Sequence, residues 1–324
     1  MILITGAAGL IGSAVARELN RRGRNNLLLV DHLGTSEKWM NLRSLRYSHY
    51  IEKDALLTAL QTGSQSLFGI NVIFHLGACS STTEKDASYL VQNNYQFSIR
   101  LAEFAQYKGI RMVYASSAAT YGEGENGFED GLAKLDTLRP LNMYGYSKHM
   151  FDLWLRDRQF DPHFVGMKYF NVFGPNEYHK GEMMSLVLKA YRQIQQEGKM
   201  RLFKSYRPEY RDGEQMRDFY YVEDAARLTV ALGLDSHATG LFNAGSGQAN
   251  TWLSLAEAIF AAMGRSPEIE FVEMPDHLKE KYQYYTCAPM DSIRAAGIQA
   301  PVTPLADAVR DYVQNYLMKG ERRA

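Results

Sequence analysis

The segment Thr5-Gly6-Ala7-Ala8-Gly9-Leu10-Ile11-Gly12 constrains this chain more than any other. An apolar run over residues 1–4 leads into it, and a stretch of helical periodicity over 11–22 leaves it. Small residues at Gly6, Gly9 and Gly12 let the backbone turn tightly and bring the helix N-terminus close to an anion. The spacing is Gly-x-x-Gly-x-x-Gly, not the commonest fingerprint, and a glycine triplet by itself can be no more than a turn. Here strand, turn and helix come in the required order. Asp31, which ends the next apolar run at 26–30, is placed to accept hydrogen bonds from a ribose. The combination predicts a dinucleotide site.

Two more short apolar runs, 71–75 and 111–115, read as strands, with a helix expected over 90–108 between them. Strand and helix in alternation predict an α/β fold, a doubly wound parallel sheet with helices on both faces. Beyond Gly174 the pattern loosens into a helix expected over 183–197 and a charged, Tyr-rich loop over 204–215. A helix over 217–234 and a strand over 241–243 read as a return to the first domain. The expected division is residues 1–172, with returning segments near 217–244 and 286–292, as the dinucleotide-binding domain. Residues 173–216 and 245–324 form mainly a smaller α/β substrate-binding domain.

Charge and cysteine content narrow the partners. Thirty-six basic residues balance 36 acidic ones, so no overall field draws the chain to nucleic acid or to an anionic membrane. The two cysteines, Cys79 and Cys287, lack metal-ligand spacing, which speaks against a disulfide framework or a metal site and suits a reducing cytoplasm. The apolar start lacks a basic flank, so it reads as a buried strand rather than a signal peptide, and no run approaches the roughly 20 apolar residues that span a bilayer. A soluble, cytoplasmic protein with a small-molecule site is the expectation.

Several residues gather around that site. Lys38 and Lys53 can neutralise a ribose 2′-phosphate if both point back to the Asp31 edge, which favours NADP with NAD still possible; otherwise they are two solvated lysines. His75-Leu76-Gly77-Ala78 ends a strand on small residues at the carboxyl edge of the sheet, where such folds bind ligands. Asn93 and Asn94 fall on the helix expected to follow. Tyr144 and Lys148 stand four apart in a helical stretch, so their side chains share a face, and an adjacent ammonium favours a phenolate. Taken alone, that spacing is common and usually structural. Ser117 follows the fourth strand at the same sheet edge, and serine, tyrosine and lysine in this order behind a dinucleotide turn form a far more specific set.

With these residues in place the chain resembles the extended short-chain dehydrogenases/reductases, the NAD-dependent epimerase/dehydratase family with its Rossmann-type sheet. Within them it is similar nearly end to end to the ADP-L-glycero-D-manno-heptose 6-epimerases. The resemblance is carried by HLGACSSTTE at 75–84, YASSAATYG at 114–122, PLNMYGYSK at 140–148 and KYFNVFGPNEYHKG at 168–181. It implies Tyr144 and Lys180 as paired acid/base residues, Lys148 as the tyrosine's partner and a nicotinamide-ribose ligand, and Ser117 as the serine nearest the substrate. Around the cofactor it implies Leu10, Ile11, Asp31, His32, Lys38, Lys53, Leu76, Gly77, Ala78, Cys79, Ser80, Asn93, Val172 and Lys180. For an ADP-heptose substrate it implies Asn171, Glu182, Lys189, Phe203, Lys204, Ser205, Tyr206, Arg217 and Tyr282, together with Ser117. The Arg217 guanidinium suits a diphosphate, the alternative being a salt bridge to Asp218 or Glu223. Glu182 stands where the family pattern has a small hydroxyl residue. The implied reaction oxidises an exocyclic C6, turns the carbonyl over and reduces its other face, in a homo-oligomer that is often a pentamer. A relative acting on another nucleotide sugar, as UDP-galactose 4-epimerases do, is the nearest rival. A 4,6-dehydratase would need an acidic pair that 117–120 lack, and a non-catalytic dinucleotide sensor would have a broken Tyr/Lys set.

Overall fold

The structure is a computed structural model describing residues 1–64, 67, 69–159, 161–279 and 282–324. Six strands open the chain: β1 (Ile2–Thr5), β2 (Leu27–Asp31), β3 (His49–Glu52), β4 (Val72–His75), β5 (Arg111–Ser117) and β6 (Phe164–Tyr169). Short strands β7 (Asn171–Phe173), β8 (Met200–Phe203) and β9 (Met216–Tyr221) follow, then β10 (Gly240–Ala244), β11 (Ala249–Thr251) and β12 (Ile269–Val272). Seven of these form one parallel sheet in the order β10-β6-β5-β4-β1-β2-β3. The doubly wound α/β fold expected from the alternation is the fold observed. Every residue of β1, β2, β4 and β6 is buried, as a parallel sheet covered on both faces requires, whereas the edge strand β3 is partly exposed.

Helices α1 (Leu10–Arg21), α2 (Lys53–Thr62), α3 (Ala87–Leu90), α4 (Phe97–Lys108) and α5 (Met143–Asp157) connect the first strands. Later come α6 (Leu186–Glu197), α7 (Val222–Leu234) and α8 (Trp252–Ala262). α1 packs on α7, where Glu223 pairs with Arg17 and, at 2.8 Å, with Arg21. β9 lies between β7 and β11, and β8 pairs with β12, giving two small sheets beyond the main one.

Three expected elements differ in outline. Residues 217–234 are not one helix: the aromatic run Phe219, Tyr220 and Tyr221 belongs to strand β9, and α7 starts only at Val222. Aromatic side chains suit the pleated surface between two neighbouring strands better than a helix face. The helix expected from 183 starts at Leu186, because Ser185 accepts from Leu188 N and caps it there, while Gly181–Met183 form a 3-10 turn. The helix expected over 90–108 begins earlier, at Ala87, where Asp86 accepts from Tyr89 N at 2.9 Å, and it is interrupted by a π-helical turn, Val91–Gln96. That turn carries Asn93 and Asn94, and π-turns often mark functional positions.

A buried clasp joins three remote stretches. The Asn41 amide donates to Ala8 O at 2.8 Å and to Asn176 O at 3.0 Å, and the Asn176 amide donates to Ser13 Oγ at 3.0 Å. Arg323 donates to Asn41 Oδ1 at 2.8 Å. Among the described residues no helix is long and apolar enough to cross a membrane.

Candidate active site

A cleft of about 670 Å³ opens at the carboxyl ends of β1, β2, β4, β5 and β6, and a smaller cavity of about 250 Å³ adjoins it at the Asp31 edge. Gly6 has φ +67°, and a Cβ on Gly12 would lie 2.0 Å from Gly6 O, so the strand-to-helix turn leaves no room for side chains. Gly9 precedes α1 with no side-chain cap, which leaves the first N–H groups of the helix for an anion. The Asp31 carboxylate closes this cradle: Oδ2 accepts from Ala8 N at 2.8 Å, and Oδ1 accepts from His32 N and Lys38 Nζ, each at 2.7 Å. A glycine cradle facing a capless helix end, with a carboxylate at the next strand end, fits a dinucleotide.

The cofactor residues expected from sequence converge here. Gly9, Leu10, Ile11, Gly12, Leu76, Ser80, Lys148, Val172 and Lys180 line the larger cleft. His32, Lys53 and Asn93 line the smaller, and Gly6, Asp31, Lys38, Gly77, Ala78 and Cys79 line both. Lys38 reaches the Asp31 carboxylate, whereas Lys53 lines the smaller cavity with its ammonium donating to Asn93 Oδ1 at 2.9 Å. Asn94 turns instead to the loop after β4, which it fixes by bonding both Cys79 N and Cys79 O, at 2.8 and 2.9 Å.

Tyr144, Lys148, Ser117 and Lys180 line the same cleft. Asn142 caps α5, accepting from Gly145 N at 2.8 Å, and so sets the first helical turn that carries Tyr144. Lys148 is 5% exposed and donates to Ala115 O at 2.8 Å; burial brings its ammonium down to about 8, against the pull of Asp152 and Cys79. Burial pushes the Tyr144 phenol up, and a hydrogen bond with Ser117 works the other way. In this state desolvation outweighs the lowering expected from a neighbouring ammonium, which is engaged with a carbonyl. Lys180 sits at the turn before Gly181–Met183, and burial lowers it, opposed by the buried Glu177. A lysine lowered in this way comes closer to trading protons near neutrality.

The substrate residues expected from sequence fall in two groups. Ser117 and Asn171 line the cleft, and Asn171 donates to Asp218 O at 3.2 Å. The rest lie off its lining. Arg217 is buried with its guanidinium 5.5 Å from the ring centres of both Trp252 and Tyr282, and it donates to Met216 O at 2.8 Å and to Gln283 O. It pairs with neither Asp218 nor Glu223: Asp218 accepts instead from the backbone of Ser246, Gly247 and Ala288. Phe203 meets Tyr282 edge-on, Lys204 donates to Glu273 at 2.6 Å, Ser205 N donates to Asp212 at 2.7 Å, and Tyr206 bonds Glu273. This aromatic and cationic group adjoins the cleft through Trp252, whose Nε1 donates to Tyr282 Oη at 2.9 Å. Lys189 donates to the Glu182 carbonyl at 2.6 Å and stands 3.7 Å from the exposed Glu182 carboxylate.

The cleft also contains residues that sequence reasoning passed over. His179 lines it with a buried Nδ1 that has no hydrogen-bond partner among the described residues; burial, Lys38 and Lys180 lower it to about 4. Phe170, Met183, Met184, Phe219 and Trp252 supply apolar walls. Of these, only His179 carried a signal, its place beside Lys180.

A family model described as the NAD dependent epimerase/dehydratase family matches residues 2–245. The chain belongs to this family. A nicotinamide dinucleotide is therefore the class of cofactor it takes. An ADP-L-glycero-D-manno-heptose-6-epimerase of Nitratidesulfovibrio vulgaris (strain DP4) is 48% identical over 318 residues, which cover 98% of each chain. Among solved structures, the Helicobacter pylori ADP-L-glycero-D-manno-heptose-6-epimerase superposes with a TM-score of 0.81 at 25% identity, over 97% of this chain and 95% of that one. A UDP-glucuronic acid 4-epimerase from Bacillus cereus, in complex with UDP-glucuronic acid and NAD, has a TM-score of 0.75 at 25% identity, over 97% of this chain and 99% of that one.

Proposed function

We propose that this member of the epimerase/dehydratase family converts ADP-D-glycero-β-D-manno-heptose to its L-glycero epimer at C6, using NADP. The observation that carries the reading is that Tyr144 and Lys180, from α5 and from the turn after β7, line one cleft beside a dinucleotide cradle. The near end-to-end likeness to proteins named for that activity supports the sugar. The pairing of Lys38 with Asp31, with Lys53 close by, supports NADP, since the carboxylate is already neutralised and a further cation is left for a 2′-phosphate.

A bound nicotinamide dinucleotide supplies hydride removal and hydride return. Tyr144 takes the proton of the C6 hydroxyl as that carbon is oxidised, with Ser117 hydrogen-bonded to the same oxygen and Lys148 stabilising the phenolate. Because C6 is exocyclic, rotation about C5–C6 carries the carbonyl oxygen away from Tyr144. Lys180 then protonates that oxygen as hydride returns to the other face of C6, and the configuration is inverted. Arg217, held between Trp252 and Tyr282, takes the diphosphate. Assembly as a homo-oligomer, a pentamer by the family resemblance, belongs to the same reading and is measured by light scattering.

The test is incubation with ADP-D-glycero-β-D-manno-heptose in deuterated water, followed by NMR of the sugar. Conversion without deuterium at C6 is expected. Substantial deuterium there would overturn direct hydride return, and conversion of UDP-galactose in place of the heptose would overturn the substrate.

A further inference from the structure

Beneath the serine and lysine of the cleft lies a buried charge cluster that the mechanism above does not use. Asp152 is fully buried on α5, four residues after Lys148 and eight after Tyr144, so the three side chains form one stripe along the helix. Its Oδ2 accepts from Ser116 Oγ at 2.6 Å, its Oδ1 accepts from Tyr114 Oη at 3.0 Å, and Lys168 Nζ stands 3.4 Å from Oδ2. Lys168, equally buried on β6, donates to Thr120 Oγ1 at 2.5 Å and lies over the Tyr121 ring at 4.6 Å. Thr120 in turn donates to Ser117 O at 2.8 Å. The end of β5 is thereby held from both sides.

We infer that Asp152 is a positioning residue for the reaction proposed above: it anchors the Ser116–Ser117 strand end and supplies the counter-charge for the buried Lys148 ammonium. Packing alone gives no reason for a carboxylate here, since an apolar side chain would avoid the cost of burying a charge. A carboxylate does have a use between two buried lysines. Lys148 donates to a neutral carbonyl, and the other titratable groups around it are Tyr144 on its own helix, Cys79 in the loop after β4 and the uncharged His75 at the end of β4. Around Asp152 itself stand Lys168, Tyr114, Tyr121 and His149. The spacing of four residues puts Asp152 on the Lys148 face of α5, and from there its charge opposes the effect of burial on that ammonium.

The experiment is the Asp152→Asn variant of the full chain, which keeps shape and acceptor but removes charge. The charge of Lys148 is followed against pH by lysine-selective NMR, alongside kcat and KM. The expected result is a Lys148 midpoint lowered by roughly one pH unit, with the alkaline fall of kcat moving the same way and KM little changed. Tyr114→Phe removes a hydrogen bond to the same carboxylate without touching its charge, and should lower the melting temperature while leaving the midpoint in place. An unmoved midpoint in folded Asp152→Asn, or an equal shift in Tyr114→Phe, overturns the inference. If Asp152→Asn fails to fold, joining it to Lys168→Gln removes the stranded lysine charge, and a smaller downward shift is expected, because loss of a neighbouring cation raises the midpoint in part; no downward shift overturns the inference. The NMR midpoint needs no turnover, so a shifted midpoint in a protein that does not epimerise the heptose would count against the proposed function alone.

Discussion

Tyr144 and Lys180 reach the same cleft from a helix and from a loop 36 positions further along the chain, and the proposed reaction needs both. Tyr144→Phe and Lys180→Met are each expected to lower epimerisation by about 10²- to 10⁴-fold while the dinucleotide stays bound, read by releasing and quantifying it after denaturation. Near-normal turnover in either variant removes that residue from its role. At the other end of the cofactor site, Lys53→Ala should weaken NADP by about tenfold or more and NAD hardly at all, measured by calorimetry on dinucleotide-free protein; equal losses would show that Lys53 does not read the 2′-phosphate. Tyr144 and Lys148 were legible in the sequence because helical spacing is a local property. Lys180 was not: a lone lysine in a loop has no periodicity to mark it, and only the resemblance singled it out. Asp152 was open to the same spacing argument as Tyr144, but nothing local reveals that a carboxylate is buried. The salt bridges considered for Arg217 fail for a related reason, since the backbone N–H groups that claim Asp218 come from residues 246, 247 and 288.

Elements place these residues, and the first turn of the sheet does so with the least tolerance. Gly12→Ala would set a Cβ 2.0 Å from the Gly6 carbonyl, a backbone atom that cannot step aside. The variant is expected to fold with a lower melting temperature and to lose its dinucleotide. Retention of the dinucleotide after purification would show that the cradle is looser than its geometry. Strands β1, β2, β4 and β5 were readable as short apolar runs because a parallel sheet buries both faces. β9 was not, as its Arg217 and Asp218 broke the apolar pattern although both are buried through partners that lie elsewhere in the chain. The π-turn at Val91–Gln96 was hidden inside a helical stretch, since one extra residue per turn leaves the composition unchanged.

For the molecule as a whole, buried histidines tie stability to pH. His75, between Thr5 Oγ1 at 2.7 Å and Ser98 Oγ at 2.8 Å, is lowered by burial from 6.5 to about 3. Between those values the unfolded chain binds a proton that the native chain does not, so stability is full above about 6.5 and falls as pH drops, by roughly 1.4 kcal/mol per pH unit for each such group. His149 and His179 are shifted in the same direction and steepen the fall. Denaturant midpoints taken between about pH 7 and pH 5, above the carboxylate range, should decline; a flat profile would mean that His75 carries its charge in the fold. No stretch of sequence announces the clasp at Asn41, whose partners are 33, 135 and 282 positions away. Yet one shore of the cleft, the glycine turn at Ala8, and the other, the loop that leads from Asn176 to Lys180, hang from the same amide group. That side is laced shut by two hydrogen bonds from one side chain, so parting the glycine turn from the loop that carries Lys180 would break both.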